Sequence, residues 1–376
     1  MIFQYFRMRK LYLFCLTVLC LGLDAKAVDY ENWMCELSDS LMISQLSIPG
    51  THDSGTAGFM FCGETQKLDI QSQLNCGVRA FDIRAGVRND STLLVFHSAL
   101  LHGSGIDQVF RTLTDFLAAH PSECLFVVLK RECGDEDTWN NLIRNCLHKY
   151  EDFFADLDRN LTIGQIRGKI LLMSRNRYAD SPFGAFFLSK WSDNATSDNY
   201  IKGTGSYRMP VRIQDIYNAE GKLEEKKADI IRLLDESAAA TGKLFINHTS
   251  GYTYTYYFDS RAIAACAEAC NATVIQHLQD SKGPAGLIMA DFAGVEQLEY
   301  GGENYNVGGQ QLIDCIISHC YKVGEILYPS AVYFTTRQED TRTLPLFDMQ
   351  GRQLECVPQN GIYIRSGHKY ITGRKY

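Results

Sequence analysis

Short, almost continuous apolar segments recur between residues 46 and 290 and alternate with stretches of helical periodicity. Parallel strands that are covered on both faces have this near-continuous apolar character. Two intervening stretches, 106–120 and 222–240, have the period of amphipathic helices, and the first ends at a proline. The predicted strands are 46–48, 78–83, 92–96, 125–129, 169–173, 243–246 and 286–290. This alternation over about 290 residues predicts an α/β fold, an irregular TIM-like (β/α) barrel.

The two ends of the chain differ from this pattern. Arg7, Arg9 and Lys10 precede an apolar run over 11–23, and small residues follow at 25–27, which is the layout of a secretory signal peptide. The run is short for a membrane span, which takes about 20 residues, although a retained anchor stays an alternative. Residues 1–27 are therefore predicted to direct export, giving a secreted, cell-surface or periplasmic protein.

After about residue 328 the pattern changes again. A polar stretch over 335–343 reads as a linker, and 346–354 and 361–364 read as short strands around turn residues. We therefore expect a catalytic barrel over 28–328 and a small C-terminal β module over 329–376.

Composition narrows the class of protein. The chain has 376 residues, of which 45% are apolar and 22% are charged, with a net charge of −7, so it is globular. The acidic balance argues against a nucleic-acid partner, because neutralising a phosphate backbone needs a basic surface.

Cysteine is less informative. Of 13 cysteines, 11 would remain after removal of residues 1–27, and an odd number cannot all pair within one chain. We expect most to be buried apolar side chains, with one or two disulfides possible. No histidine-containing CxxC pattern predicts a structural metal, and no cofactor is predicted.

Polar side chains lie at the end of nearly every predicted strand. Barrel enzymes build their active sites at the carboxyl ends of the strands, so these side chains are expected to meet in one pocket. In the segment SIPGTHDSG (47–55), Pro49 and Gly50 are expected to form the turn that presents His52. The strand-end set is His52, Asp82, Arg84, His97, Lys130, Arg175 and Asp291.

Two histidines and an arginine suit phosphodiester cleavage. One imidazole removes a proton from an attacking hydroxyl, and the other protonates the leaving oxygen. Arg84 offers a planar fork of donors for a phosphate, and a guanidinium can stabilise the developing charge without a metal cage. Three carboxylates are available to orient the rings and stabilise an imidazolium. They are Asp53, Asp82 and Asp291.

An ordered set of motifs resembles the bacterial phosphatidylinositol-specific phospholipase C family. The similarity covers about residues 31–328. Its strings are LSIPGTHDSG (46–55), VRAFDIR (78–84), His97, HPSE (120–123), LFVVLKRE (125–132), RGKILLMSR (167–175), QDIY (214–217), LFIN (244–247) and GLIMAD (286–291).

The resemblance implies a role for each matching residue. It places the general base on His52 with Asp291 as its partner, the general acid on His97 with Asp53, and the phosphate-binding arginine on Arg84 beside Asp82. The inositol-binding positions that it implies are Lys130, Arg175, Asp215 and Tyr217.

The resemblance also implies a substrate. Members cleave phosphatidylinositol, and often glycosyl-phosphatidylinositol anchors, without metal. The inositol 2-hydroxyl attacks phosphorus and gives diacylglycerol and a cyclic inositol phosphate. We therefore expect a monomer that meets its lipid at a membrane surface. Apolar segments expected at the mouth of the barrel are 59–61, 183–191 and 251–258.

The chain departs from the family pattern at one point. The acid histidine of the family is followed by glycine, whereas Ser98 follows His97, and His102 with Gly103 is the alternative match.

Two other functions also remain open: a catalytically silent inositol- or glycan-binding barrel, and a metal-dependent phosphodiesterase of the same barrel type. Residues 346–376 resemble the C-terminal sorting module of proteins exported by Bacteroidetes, which would agree with export.

Overall fold

The structure is a computed structural model that describes residues 28–59, 63–89, 91–97, 100–176, 186–188, 191–254 and 259–328, with four short strands after residue 345. The predicted signal peptide lies outside the described residues. The chain forms two compact units, which divide between Pro329 and Ser330. The assignment of these units to a catalytic barrel and a sorting module stays a prediction.

The first unit is built on a closed ring of strands. Among the described residues the ring runs β1-β2-β5-β6-β7-β8-β9-β10-β11 and closes between β1 and β11. All neighbours pair in parallel except β8, which is antiparallel to both of its neighbours. The strands are β1 (Ser47–Thr51), β2 (Ala80–Arg88), β3 (Thr92–His97), β4 (Leu100–Gly105), β5 (Leu125–Cys133), β6 (Ile170–Ser174), β7 (Phe186–Leu188), β8 (Thr196–Lys202), β9 (Arg208–Gln214), β10 (Leu244–His248) and β11 (Gly286–Ala290).

Helices follow most of the strands. Alternation of parallel strands with helices is the (β/α) barrel that the apolar pattern predicts. Short 3₁₀ helices occupy Trp33–Glu36, Ile43–Gln45 and Glu151–Phe153. The α-helices are α1 (Ile70–Asn75), α2 (Ile106–Ala119), α3 (Glu136–His148), α4 (Ile163–Ile166), α5 (Leu223–Ala239), α6 (Ser260–Leu278) and α7 (Gly309–Leu327), and a hairpin of β12 (Leu298–Tyr300) and β13 (Glu303–Tyr305) precedes α7.

Two expectations about local structure were wrong. The segment 92–96 is a strand, as predicted, but it is not a parallel strand of the barrel wall, because β3 pairs antiparallel with the outer half of β2. Pro49 and Gly50 do not form a turn but lie inside β1. A Cβ on Gly50 would come within 2.7 Å of the Met289 sulfur and 2.8 Å of the Ala80 Cβ, so glycine is needed here for close strand packing.

The barrel is filled with apolar side chains on every parallel strand. Ile48, Phe81, Val127 and Leu172 are all completely buried, as expected for strands covered on both faces. Within the described residues no helix is long and apolar enough to cross a membrane.

The amino ends of the strands are closed by a buried ion pair. Arg79 lies directly before β2, and its Nε donates to a carboxylate oxygen of Glu123 at 2.8 Å. Arg79 also donates to the carbonyl of Tyr30, and Glu123 accepts from the amide of Met34, so the pair fastens the N-terminal segment to the barrel.

The second unit is described as a small antiparallel sheet. Its strands follow the order β15-β14-β16-β17, whereas the sequence pattern predicts only two strands. They are β14 (Leu346–Phe347), β15 (Gln353–Leu354), β16 (Gly361–Arg365) and β17 (His368–Thr372).

None of the nine cysteines in the described part of the chain forms a disulfide. Cys124, Cys146, Cys266, Cys270 and Cys320 are buried in apolar surroundings. They behave as small core side chains.

Candidate active site

The carboxyl ends of β1, β2, β3 and β11 bring the two predicted histidines together. His52 continues β1, with its amide donating to the carbonyl of Ala290 at the end of β11. His97 is the last residue of β3, so the hairpin that departs from the barrel carries this ring back over the strand ends. The two ring centroids are 6.5 Å apart and the planes are almost perpendicular, at 86°.

Each imidazole has one nitrogen fixed by the protein. Nδ1 of His52 lies 2.8 Å from a carboxylate oxygen of Asp291. Nδ1 of His97 lies 2.7 Å from the carbonyl oxygen of Gly63, and because a carbonyl only accepts, this nitrogen must carry a hydrogen. Both Nε2 atoms face the same carboxylate oxygen of Asp53, at 3.4 Å from His52 and 3.2 Å from His97.

Arg84 lies beside this pair. Asp82 and Arg84 are two residues apart on β2, and their side chains therefore point to the same side of the strand. The guanidinium contacts Asp53 through Nε, Asp82 at 3.0 Å through Nη2 and Glu132 at 3.3 Å through Nη1. Asp53 has a φ of 42°, a left-handed conformation that aspartate tolerates better than most residues and that turns its carboxylate back under the site.

The charges shift several pKa values in the directions that such a site needs. Burial alone would lower the pKa of His52, but the carboxylates of Asp53 and Asp291 outweigh it and raise that pKa above its ordinary value. Burial opposes the charged forms of Arg84 and Asp82 as well. The guanidinium of Arg84 nevertheless holds the pKa of Asp82 well below its usual range, and the carboxylates of Asp53 and Asp82 hold the pKa of Arg84 well above its ordinary value.

The four positions matched to inositol binding line one cavity with the histidines. The cavity has a volume of roughly 650 Å³ and opens to solvent. Lys130 lies in register with Arg84 on the neighbouring strand. The predicted residues in its wall are His52, Arg84, His97, Lys130, Arg175, Asp215, Tyr217 and Asp291. Asp53 and Asp82 are absent from that wall, because both are buried beneath the guanidinium of Arg84.

Two of the side chains matched to inositol binding, Arg175 and Asp215, are held by residues around them. Arg175 stacks on the ring of Trp191 at 4.1 Å and pairs with Asp193 at 3.0 Å. The indole of Trp191 donates to Asp215 at 2.7 Å, and the pKa of Asp215 is lowered, with burial opposed by His248 and Arg175.

Several residues of the site were not anticipated from the sequence. Glu132 bridges Arg84 and Lys130, which lies 2.9 Å away, and His248 packs against His52 with 5.8 Å between ring centroids. Both lie at strand ends, so the rule that found His52 and His97 also applies to them. The carbonyl of Gly63 lies on a connecting segment, where that rule gives no signal. Trp191 was expected only as part of the apolar segment 183–191 at the mouth, and its bond to Asp215 was not anticipated.

The other expectations have mixed outcomes. His97 is in the site, whereas the side chain of His102 lies outside the described residues. Of the apolar segments expected at the mouth, residues 60–61, 183–185, 189–190 and 255–258 also lie outside them. Phe59 lies 6.4 Å from the ring of His97, and Tyr252 and Tyr254 line the cavity.

A metal ion is a possible occupant of one part of this cluster. His52, Asp53 and Asp82 each offer a ligand atom within 4.8 Å of the others. The guanidinium of Arg84 already contacts both carboxylates, however, so a divalent cation would be brought against a like charge. The guanidinium of Arg84 therefore already supplies the positive charge beside these carboxylates, and the residues present do not fit a metal ion.

The fold and the site define a class of protein: a (β/α) barrel with paired imidazoles and a guanidinium at its open end. Residues 40–176 match the family described as phosphatidylinositol-specific phospholipase C, X domain. The family resemblance seen in the sequence is thereby confirmed.

Individual relatives agree with this assignment. The chain is 28% identical over 280 residues to the 1-phosphatidylinositol phosphodiesterase of Listeria monocytogenes. The aligned region covers 71% of this chain and 82% of the relative. A protein of the same name from Staphylococcus aureus strain Newman is 26% identical over 72% of this chain and 91% of the relative.

Solved structures confirm the predicted barrel. The phosphatidylinositol-specific phospholipase C of Listeria monocytogenes superposes with a TM-score of 0.60 and 26% identity, over 78% of this chain and 99% of that chain. A mutant of the Staphylococcus aureus enzyme gives a TM-score of 0.63 at 23% identity, over 76% of this chain and 96% of that chain.

Proposed function

We propose that this protein is a phosphatidylinositol-specific phospholipase C that cleaves without a metal. One observation carries the proposal: two imidazoles present their Nε2 atoms to one buried carboxylate, beside a guanidinium, in the wall of an open cavity. This arrangement supplies a base, an acid and a cationic support for phosphate in a single pocket.

The first step removes a proton from the inositol 2-hydroxyl. With Nδ1 of His52 donating to Asp291, the lone pair of Nε2 is free to accept that proton. The oxygen attacks phosphorus, and Asp291 and Asp53 stabilise the imidazolium that forms on His52. The raised pKa of His52 suits a base that must hold this proton through the step.

The second half of the step expels the lipid. Protonated His97 carries a hydrogen on Nε2, since Nδ1–H is committed to the carbonyl of Gly63. It gives this hydrogen to the leaving glycerol oxygen, so diacylglycerol departs and inositol 1,2-cyclic phosphate remains. The fork of Arg84 faces the non-bridging phosphate oxygens throughout. Water then opens the cyclic phosphate slowly, with the two histidines in exchanged roles.

Recognition of the headgroup falls to the inner wall of the cavity. Lys130, Arg175 and Asp215 can form paired hydrogen bonds to neighbouring ring hydroxyls, and Tyr217 can cover one face of the ring. Phosphatidylinositol, or a glycosylated form of it, is the substrate that fits this set. We further propose that the protein is exported and acts as a monomer at a membrane surface.

The test is incubation with phosphatidylinositol micelles in EDTA, followed by phosphorus NMR. The expected result is the resonance of a five-membered cyclic phosphate, produced at the same rate with and without chelator. Loss of activity in EDTA would favour the metal-dependent phosphodiesterase. Absence of any product, with headgroup binding retained, would favour the silent binding barrel.

A His52→Ala variant separates these outcomes further. Removal of the base should lower turnover by about 10²–10⁴-fold, while binding of myo-inositol stays measurable by calorimetry. An unchanged rate would remove His52 from the reaction.

A further inference from the structure

Both histidines depend on one short segment that no motif of the sequence singled out. Residues 63–67, GETQK, lie between the loop after β1 and α1, and we call them the histidine bracket. Gln66 donates to the carbonyl of His52 at 2.9 Å and to that of Ala290 at 2.8 Å. The hydroxyl of Thr65 also lies 3.2 Å from the carbonyl of His52, and Gly63 accepts from Nδ1 of His97.

Within the bracket, Glu64 is the side chain that fixes the position of Gly63. Its carboxylate is 5% exposed and accepts from the amide of Gly58 at 3.2 Å. The hydroxyl of Tyr300 donates to it at 2.7 Å, and Lys67 pairs with it while lying 4.6 Å over the tyrosine ring. Tyr300 ends β12, so this contact fastens the bracket to the β12–β13 hairpin. Burial and the bond to Glu64 raise the pKa of Tyr300, so the tyrosine remains a donor.

Neither side chain lines the cavity, so neither can touch the substrate. The most direct route from Glu64 to the site is the backbone of Gly63, which is bonded covalently to Glu64 and whose carbonyl accepts from Nδ1 of His97. The carbonyl of Gly63 fixes the position of Nδ1 in His97, and because the imidazole ring is rigid, it also fixes the direction in which Nε2 points. A small displacement of a proton donor from its acceptor costs rate steeply, because the transfer needs a short and aligned contact.

We propose that Glu64 and Tyr300 are positioning residues for the general acid, acting through the carbonyl of Gly63 on His97. The inference rests on the proposed function, since it needs His97 to protonate the leaving oxygen. It extends that function by separating the two proton transfers: the Glu64–Tyr300 contact serves the acid step only, whereas Thr65 and Gln66 support the segment that carries the base.

The experiment compares two leaving groups in the full-length protein. Phosphatidylinositol expels an alkoxide that needs a proton, whereas p-nitrophenyl myo-inositol phosphate expels a phenoxide that leaves without one. Tyr300→Phe and Glu64→Gln should lower kcat about tenfold on phosphatidylinositol, which is the loss of one well-placed hydrogen bond. They should lower it less than twofold on the aryl ester. A purely structural role would lower both rates together.

Two controls fix the interpretation. Tyr305→Phe removes a matched contact in the same hairpin, where the tyrosine hydroxyl donates to Glu303 at 2.5 Å, and should leave both rates unchanged. His97→Ala should reproduce the same split between substrates with a larger amplitude. Adding Tyr300→Phe to His97→Ala should then cause no further loss.

Equal losses on the two substrates, no loss on either, or an additive loss in the double variant would each overturn the inference. A wild-type protein that cleaves neither substrate would instead refute the proposed function. The two failures are therefore distinguishable.

Discussion

At the level of single residues, the carboxylate of Asp53 connects the imidazoles of His52 and His97 with the guanidinium of Arg84. One of its oxygens faces both imidazoles, and the other contacts Arg84. The side chains that meet here all come from strand ends, and that is why their sequence positions were sufficient to predict the gathering of His52, His97 and Arg84. The carbonyl of Gly63 could not be predicted in this way, because a backbone acceptor on a loop leaves no mark in the sequence.

The geometry of the guanidinium gives the first prediction. Arg84→Lys keeps the positive charge beside Asp53 and Asp82 but loses the planar fork that reaches two phosphate oxygens at once. We expect kcat on phosphatidylinositol to fall about 10²–10³-fold, as when one transition-state donor is lost. Thermal unfolding followed by circular dichroism should change little. Arg111→Lys, on the exposed face of α2, is the matched control and should behave as wild type.

The pH dependence of the reaction gives the second prediction. His52 acts as a base only when neutral, so kcat/KM should rise as the pH passes upward through its pKa. Asp291 is one of the carboxylates that raise this pKa. Asp291→Asn should therefore move the acidic limb of the kcat/KM profile to lower pH, with a reduced plateau. A limb that stays in place, or moves to higher pH, would show that His52 is not the group that titrates.

At the level of elements, the strands fall into two groups that differ in how visible they are in the sequence. The parallel strands, such as β5 and β11, are continuous apolar runs and were predicted within a few residues. Strands β8 and β9 were missed because they alternate between buried and exposed positions, as antiparallel strands with one wet face do. The many polar residues of these two strands give them the composition of a loop, and only the alternation of buried and exposed positions at every second residue indicates a strand.

The end of β10 carries the third prediction. His248 is 1% exposed, and burial lowers its pKa to about 4. The unfolded chain, with an ordinary histidine, binds this proton more readily, so the free energy of unfolding should fall as the pH drops from about 6.5 towards 4. We expect the loss from this residue to be about 2–3 kcal/mol between pH 7.5 and 4.5.

Urea unfolding at both pH values measures this effect. His248→Gln should show a smaller loss of stability on acidification than the wild type, whereas His148→Gln, at an exposed position of α3, should match it. An equally steep loss in the His248 variant would assign the acid sensitivity to other groups.

At the level of the whole molecule, the two ends of the barrel have different tasks. The carboxyl ends of the strands hold the cavity, and the amino ends hold the pair of Arg79 and Glu123, both fully buried. The HPSE string contributed to the family resemblance, yet its glutamate lies in this closure and not in the site. A resemblance therefore located the fold and the site together but could not separate residues kept for stability from residues kept for chemistry.

This division gives the fourth prediction. Glu123→Gln leaves the buried guanidinium of Arg79 without its counter-charge and should lower the free energy of unfolding by about 3–5 kcal/mol in urea. The kcat of the folded fraction should stay within about twofold of wild type, because the site is at the opposite end. Glu136→Gln, at an exposed position, serves as the comparison. A large fall in kcat without loss of stability would contradict the assignment.

The carboxylate that His52 and His97 share, that of Asp53, has a consequence for proton exchange with the solvent. In the proposed mechanism, cleavage transfers one hydrogen ion onto His52 and takes one from His97, so the total charge around that carboxylate is the same before and after the lipid departs. Buffer is therefore not required as a proton donor or acceptor while one bound lipid is cleaved. The starting state, with His52 neutral and His97 protonated, is restored by the slower hydrolysis of the cyclic phosphate or by proton exchange with solvent after the cyclic phosphate dissociates.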